Sequence, residues 1–480
     1  MIYPFLKRVL PALVLIAPLW AQAESSLPTK SCRLSNFPQE VQCGKISRAL
    51  DPAKPDGKKI DIHYVVLPSQ DRNKLSDAVF LLAGGPGQSA IALSDTGESL
   101  LGKLNRRRDL VFVDQRGTGS SAPLNCPKLD NSDKMIDRNA MIAAVQSCMQ
   151  ALQKLPYGDL QFFSTSIAVQ DLEAVRVAQK YSAINLVGVS YGTRVGLEYL
   201  RQFPLAVRRL VIDAVVPPDL RILGTDAKQA LDGLFADCLK QVKCHAAYPD
   251  LAKTWQNLLN NTPRQVSFTQ PRLGNEMTDL VTREDIINMV RNALYVPNML
   301  AMLPYALTQA EQGKFAPLLT MSGVFNSKSP TALAGGMHYS VWCSEAYAVG
   351  QPAPVAPADE FTHVATEMYG KICANWPRAT IPKEFFSIPP SNAPVLLLSG
   401  GIDPVTPTRN GDMVAKALGA KARHISIANA GHGVLSHGCV REVMTSFIAA
   451  KDDAEALKVD AQCVRQIPRP STWIPPKTIN

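Results

Sequence analysis

The stretch Ile184-Asn185-Leu186-Val187-Gly188-Val189-Ser190-Tyr191-Gly192-Thr193 decides how the rest of the chain is read. An apolar run of strand length, INLVGV, leads straight into Gly188-Val189-Ser190-Tyr191-Gly192, and residues 193–202 continue with helical spacing. A strand-to-helix turn this abrupt projects its apical side chain from a strained backbone, and small neighbours let the two elements pack closely. A serine at the apex is therefore displayed as a nucleophile. The five-residue pattern has moderate specificity alone; the strand before it and the helix after it supply the context its chemistry requires.

Working outward, Ala168, Leu172, Val175 and Ala178 recur at helical spacing between charged residues, so a helix over 167–181 feeds the strand before Ser190. Further apolar runs at 78–83, 110–113, 210–212, 394–399 and 424–427 read as buried strands. Strands alternating with helices imply an α/β fold, a mostly parallel central sheet with helices on both faces. The strand series stops over 217–390, where helical patterns such as 230–239 and 283–294 prevail. Because strands resume at 394, that interval reads as an inserted, mainly helical lid rather than a trailing domain. The expected organisation is a signal peptide at 1–23, a catalytic domain at 24–216 and 391–480, and a lid at 217–390.

A neutral hydroxyl is a poor nucleophile, so a base must take its proton and an acid must orient that base. On the α/β-hydrolase fold the chain order is Ser, Asp or Glu, then His. Asp403 follows the strand at 394–399, and His432, in Ala430-Gly431-His432-Gly433, follows the strand at 424–427. Both fall at carboxyl ends of strands, where such sheets deliver catalytic groups. Asp213 also ends a strand, but its nearness to Ser190 in sequence favours a structural turn role. His437 lacks glycine flanks, and His63, His245, His338, His363 and His424 carry no motif. The oxyanion of an acyl-transfer intermediate needs backbone donors, expected at Tyr191 and at Gly85 of the turn Gly84-Gly85-Pro86-Gly87.

Composition narrows the class. Across 480 residues, 46% are apolar, 19% are charged and the formal charge is +9, an ordinary globular balance. The densest basic cluster, Arg106 to Arg108, reads as a solvated turn, and no zinc-finger spacing, basic helix or aromatic RNA motif points to a nucleic acid. Lys7 and Arg8, a short apolar run and Ala21-Gln22-Ala23 form a signal-peptide pattern too short to span a bilayer. An exported, periplasmic or secreted protein without stable membrane insertion is expected. The even count of ten cysteines fits that compartment and argues for disulfides. Nearest-neighbour pairing would give Cys32–Cys43, Cys126–Cys148, Cys238–Cys244, Cys343–Cys373 and Cys439–Cys463. No CxxC pair occurs, so no metal site is expected, and the mechanism needs no cofactor.

The stretches Gly84-Gly85-Pro86-Gly87, Asp114-Gln115-Arg116-Gly117-Thr118-Gly119-Ser120-Ser121, Gly188-Val189-Ser190-Tyr191-Gly192-Thr193 and Gly431-His432-Gly433, with Asp403 and Cys439, resemble the proline iminopeptidase and tripeptidyl aminopeptidase branch of the α/β-hydrolases. Ala83 and Val189 depart from the His and Gly common in proline iminopeptidases, and the chain looks more like the secreted tripeptidyl aminopeptidases. In that pattern Asp114 and Arg116 look structural. The resemblance implies cleavage near the free N-terminus of a peptide, which calls for a carboxylate to receive the substrate ammonium. Glu345, in Trp342-Cys343-Ser344-Glu345, is the candidate. An esterase or amidase acting on small acyl substrates and a non-catalytic binding protein are the alternatives, since a fold does not determine its substrate.

Overall fold

The computed structural model describes residues 29–35, 37–126, 138–221, 226–269, 274–323, 333–348 and 359–476. The expected signal peptide at 1–23 lies outside them. Nine strands form one sheet: β1 (Thr29–Arg33), β2 (Glu40–Ala49), β3 (Lys59–Leu67), β4 (Ala78–Leu82), β5 (Leu110–Val113), β6 (Ile184–Val189), β7 (Val207–Asp213), β10 (Val395–Gly400) and β11 (Ala422–Ile427). Between β7 and β10 in the chain, β8 (Arg264–Thr269) and β9 (Glu276–Val281) make a separate antiparallel hairpin. The spatial order of the sheet is β1-β2-β3-β5-β4-β6-β7-β10-β11. Pairing is antiparallel from β1 through β3 to β5 and parallel from β5 to β11.

The six apolar runs read from sequence are the six parallel strands. All but the edge strand β11, which is partly exposed, are buried on both faces, which makes them nearly continuously apolar rather than alternating. Period-two geometry still separates their contacts: Phe80 and Leu82 enter one core with Leu186 and Leu210, while Val79 and Leu81 enter the other with Val187 and Val211. β1 to β3, short of uninterrupted apolar character, were not among the expected strands; they close the sheet on its antiparallel side.

The interval between β7 and β10 has two parts. Helices and the hairpin from Ala227 to Met321 form a core of their own, centred on Trp255, Ile286, Val290 and Leu303. The helices Gly335–Ala346 and Glu360–Cys373 contribute Met337, Trp342, Cys343 and Ile372 to the core beneath the sheet, while Phe361 at the start of the second helix stacks on Trp255 and joins the two cores. Only the first part is an independent layer. The C-terminal segment then crosses back over it: Trp473 N–H donates to Ala301 O at 3.0 Å, Tyr248 Oη donates to Trp473 O at 2.8 Å, and the Tyr305 and Trp473 rings meet edge-to-face at 4.4 Å. Arg469 pairs with Asp237 in the same crossing.

The cysteines are joined as Cys32–Cys43, Cys126–Cys148, Cys238–Cys244, Cys343–Cys373 and Cys439–Cys463. Each closes a local loop, the largest spanning 30 residues, and limits the unfolded chain by about 3–4 kcal/mol at that length in the loop-entropy account. Among the described residues no helix is long and apolar enough to cross a membrane. The basic cluster is not all solvated: Arg108 is buried and pairs with Asp77 at 2.8 Å, because the turn folds it under the start of β4.

Candidate active site

Five turns at the carboxyl ends of neighbouring strands supply the site. Ser190 follows β6 with φ of 56° and ψ of −124°, a left-handed backbone forced on a non-glycine residue, and the helix Tyr191–Gln202 starts immediately after it. The surroundings explain the glycines: a Cβ on Gly188 would lie 2.3 Å from Gly192 O, and one on Gly192 would lie 2.2 Å from Leu82 O. Any side chain there would push the elbow off the sheet. The Ser190 N–H donates to Asp213 O at 2.9 Å, which ties the turn to the end of β7.

Asp403 follows β10 and His432 follows β11. Asp403 is 4% exposed, and every lone-pair direction has a use. Its Oδ1 accepts the N–H groups of Val405 and Thr406 at 2.8 and 2.9 Å; its Oδ2 accepts Thr406 Oγ1 at 2.6 Å and His432 Nδ1 at 2.9 Å. Burial raises the carboxyl pKa, but the imidazole charge and these bonds outweigh it and hold it below the usual range. Burial lowers the imidazole pKa, yet the Asp403 charge and hydrogen bond, with the Asp213 charge, leave it above 6.5. Because an ionised carboxylate only accepts, Nδ1 carries a proton and Nε2 of the neutral ring is left as the basic nitrogen.

Strand order brings these turns together. A Cβ on Gly433 would lie 3.7 Å from Val189 Cγ1, so the loop of His432 borders the serine turn. On the other side, a Cβ on Gly84 would lie 3.5 Å from Ser190 Cβ, so the Gly-Gly-Pro-Gly turn also abuts the serine. Tyr191 begins its helix, so its N–H has no acceptor within that helix. Gly85 has φ of 110°, a conformation that glycine adopts freely.

Glu345 was expected to be an open carboxylate and is not one. Its side chain is 0% exposed; Oε1 accepts the Thr165 N–H at 3.0 Å and Oε2 pairs with Arg194 Nη1 at 3.1 Å. Arg194 belongs to the helix that starts at Tyr191, so Glu345 anchors the helix Gly335–Ala346 behind the serine turn instead of facing a substrate. Burial raises its pKa, against the pull of Arg194. Asp114 and Arg116 hold loops: Asp114 accepts Ser89 Oγ and the N–H groups of Ile91 and Ser120, and Arg116 makes a two-pronged pair with Asp171.

Three contributors carried no sequence signal. Thr406 bonds Asp403 and lies 3.2 Å from His432 Nδ1. Tyr295, from the inserted segment, accepts the His432 N–H through its carbonyl at 3.2 Å and sets its ring edge-to-face on the imidazole at 5.1 Å. His338 lies with Nδ1 3.2 Å from Pro86 O and Nε2 2.8 Å from Tyr369 Oη. A carbonyl only accepts, so Nδ1 carries the proton and Tyr369 donates to Nε2. Burial pushes the His338 pKa down to about 4, which keeps it neutral and braced against the Gly-Gly-Pro-Gly turn.

A family model described as TAP-like protein matches residues 356–456, the segment that carries both Asp403 and His432. Over that segment the chain is similar to TAP-like proteins, and its mostly parallel nine-stranded sheet flanked by helices has the α/β-hydrolase architecture. It is 26% identical to Serine protease Hip1 of Mycobacterium tuberculosis over 87% of each chain. It is 31% identical to Tripeptidyl aminopeptidase of Streptomyces coelicolor over 38% of this chain and 36% of that one. Among solved structures, an α/β hydrolase from a Medee basin deep-sea metagenome library is 15% identical with a TM-score of 0.38, over 85% of this chain and 98% of that one. The likeness to a serine protease over 87% of the chain supports a serine hydrolase.

Proposed function

We propose that this chain is an exported serine aminopeptidase that hydrolyses peptide bonds near free N-termini, with Ser190 as nucleophile, His432 as base and Asp403 as acid. The Asp403–His432 hydrogen bond at 2.9 Å, beside a serine held at φ of 56°, is the observation that carries the reading. In the acylation step Ser190 Oγ attacks the scissile carbonyl while its proton passes to His432 Nε2. The imidazolium so formed is stabilised by Asp403. The oxyanion is held by the N–H groups of Tyr191 and Gly85, and collapse expels the amine with the proton that His432 returns. Water repeats the sequence on the acyl-enzyme and frees Ser190.

Preference for a peptide N-terminus is supported by the relatives named protease and tripeptidyl aminopeptidase, and export by the signal-peptide pattern and the disulfides. The test compares kcat/KM on amino-free and N-blocked aminoacyl and tripeptidyl anilides with that on simple esters. Preference for the amino-free anilides is expected. Equal rates on blocked and free peptides, or turnover of esters alone, would overturn the aminopeptidase reading; failure to react with a fluorophosphonate would overturn catalysis by Ser190.

A further inference from the structure

Asp213 is the last residue of β7 and is 1% exposed. It stands between the two halves of the site. In the sheet it pairs with Val189, the residue before Ser190, on one side and with Leu398 of β10 on the other. Its carbonyl accepts the Ser190 N–H at 2.9 Å. Its Oδ2 reaches into the next loop and accepts two consecutive N–H groups, Val434 at 2.7 Å and Leu435 at 2.9 Å, from the second and third residues after His432. Oδ1 accepts no hydrogen bond among the described residues. A buried carboxylate with one such oxygen is costly unless a positive charge lies near.

We propose that Asp213 is a positioning residue for the hydrolytic reaction: its main chain holds the serine turn, its carboxylate holds the histidine loop, and its charge supports the imidazolium that forms when His432 takes the serine proton. The proposal rests on the triad described above. The groups that act on it electrostatically are His432 and Asp403. Burial pushes its pKa up to about 6, against the two N–H bonds and the His432 charge. The carboxylate is therefore ionised through the neutral range, where His432 works, and its charge is one of the causes holding the imidazole pKa up. An asparagine would keep an oxygen for both N–H groups and lose only the charge; an alanine would lose both.

The experiment compares wild type, Asp213→Asn, Asp213→Ala and Ser190→Ala by thermal melting, fluorophosphonate labelling rate and the pH profile of kcat/KM on a p-nitrophenyl ester. Asp213→Asn is expected to melt near wild type, lower kcat/KM about tenfold and move the acid limb of the profile to lower pH, because the imidazole loses a stabilising charge. Asp213→Ala is expected to slow labelling about 100-fold. A wild-type rate and acid limb in Asp213→Asn would overturn the proposal, as would a loss of activity explained wholly by melting. If Asp213→Asn does not fold, histidine NMR titration of the wild-type protein decides. Two inflections at His432, one near pH 6, support the coupling; one inflection overturns it. Hydrolysis surviving in Ser190→Ala would instead overturn the triad and leave the coupling between Asp213 and His432 to the titration.

Discussion

The carboxyl edge of the parallel sheet and the segment inserted between β7 and β10 meet at the same imidazole but serve it differently. The sheet edge delivers side chains whose place follows from chain order: Ser190 after β6, Asp403 after β10 and His432 after β11. The inserted segment delivers support through contacts, the Tyr295 carbonyl and ring at His432, His338 under the Gly-Gly-Pro-Gly turn and Glu345 behind the serine helix. The difference teaches that chemistry here is carried by few, motif-bearing turns, while geometry is carried by residues with no motif. Damage to the first should abolish turnover; damage to the second should weaken folding or lower rate by modest factors.

The sharpest break is at the edge. Ser190→Ala and His432→Ala should each lower kcat by about 10⁴-fold or more with little change in melting temperature, measured on the substrate the wild type turns over best. Asp403→Asn should cost on the order of 10⁴-fold, because an amide donor beside Nδ1 imposes the wrong tautomer. A His432 variant with wild-type activity would remove the assignment.

Glu345→Gln tests the other region. It strands the Arg194 charge in a buried site, and breaking such a pair costs about 3–5 kcal/mol. Denaturant unfolding should show that loss, while KM for unblocked and blocked peptides changes equally. A KM rise confined to unblocked peptides would return Glu345 to the role of ammonium receptor.

Tyr295→Ala should lower kcat/KM about tenfold, since the ring that flanks the imidazole is removed while the carbonyl bond to His432 remains. Tyr295→Phe keeps that ring and should restore most of the rate. The smallest effect is expected at the C-terminal crossing. Deleting residues 469–480 removes the Trp473 contacts and should lower stability by about 1–3 kcal/mol, with proteolysis appearing first between Ala227 and Met321. Unchanged proteolysis would show that this layer does not depend on the crossing.

In pH terms the two regions also separate. His432 must be neutral to accept the serine proton, and its pKa is raised, so kcat/KM should climb with pH through a value above 6.5. His338, pushed down to about 4, stays neutral throughout that climb and should leave no inflection there. Replacing His338 with glutamine should therefore change the height of the profile and leave the acid limb in place.

Legibility followed the same division. The inner parallel strands could be read because burial on both faces makes them nearly continuously apolar, the edge strand β11 only by its short run HISI, and each candidate triad residue sits within a few positions of such a run. β1 to β3 and the hairpin of β8 and β9 could not, because half-exposed strands dilute that pattern with charged residues. Glu345 was legible as a carboxylate but not as a paired one, since Arg194 lies 151 residues away in sequence.

The sequence by itself determined the α/β class, the serine turn and the order in which Ser190, Asp403 and His432 follow their strands, because those properties are local to each strand and turn. Only the tertiary structure decided which groups face the imidazole from outside the motifs. Thr406 Oγ1 and the Tyr295 ring meet it directly, the Tyr295 carbonyl holds the His432 main chain, and Asp213 holds the loop that follows. Such contacts depend on how the sheet is ordered and the inserted segment is packed, and no local pattern encodes them.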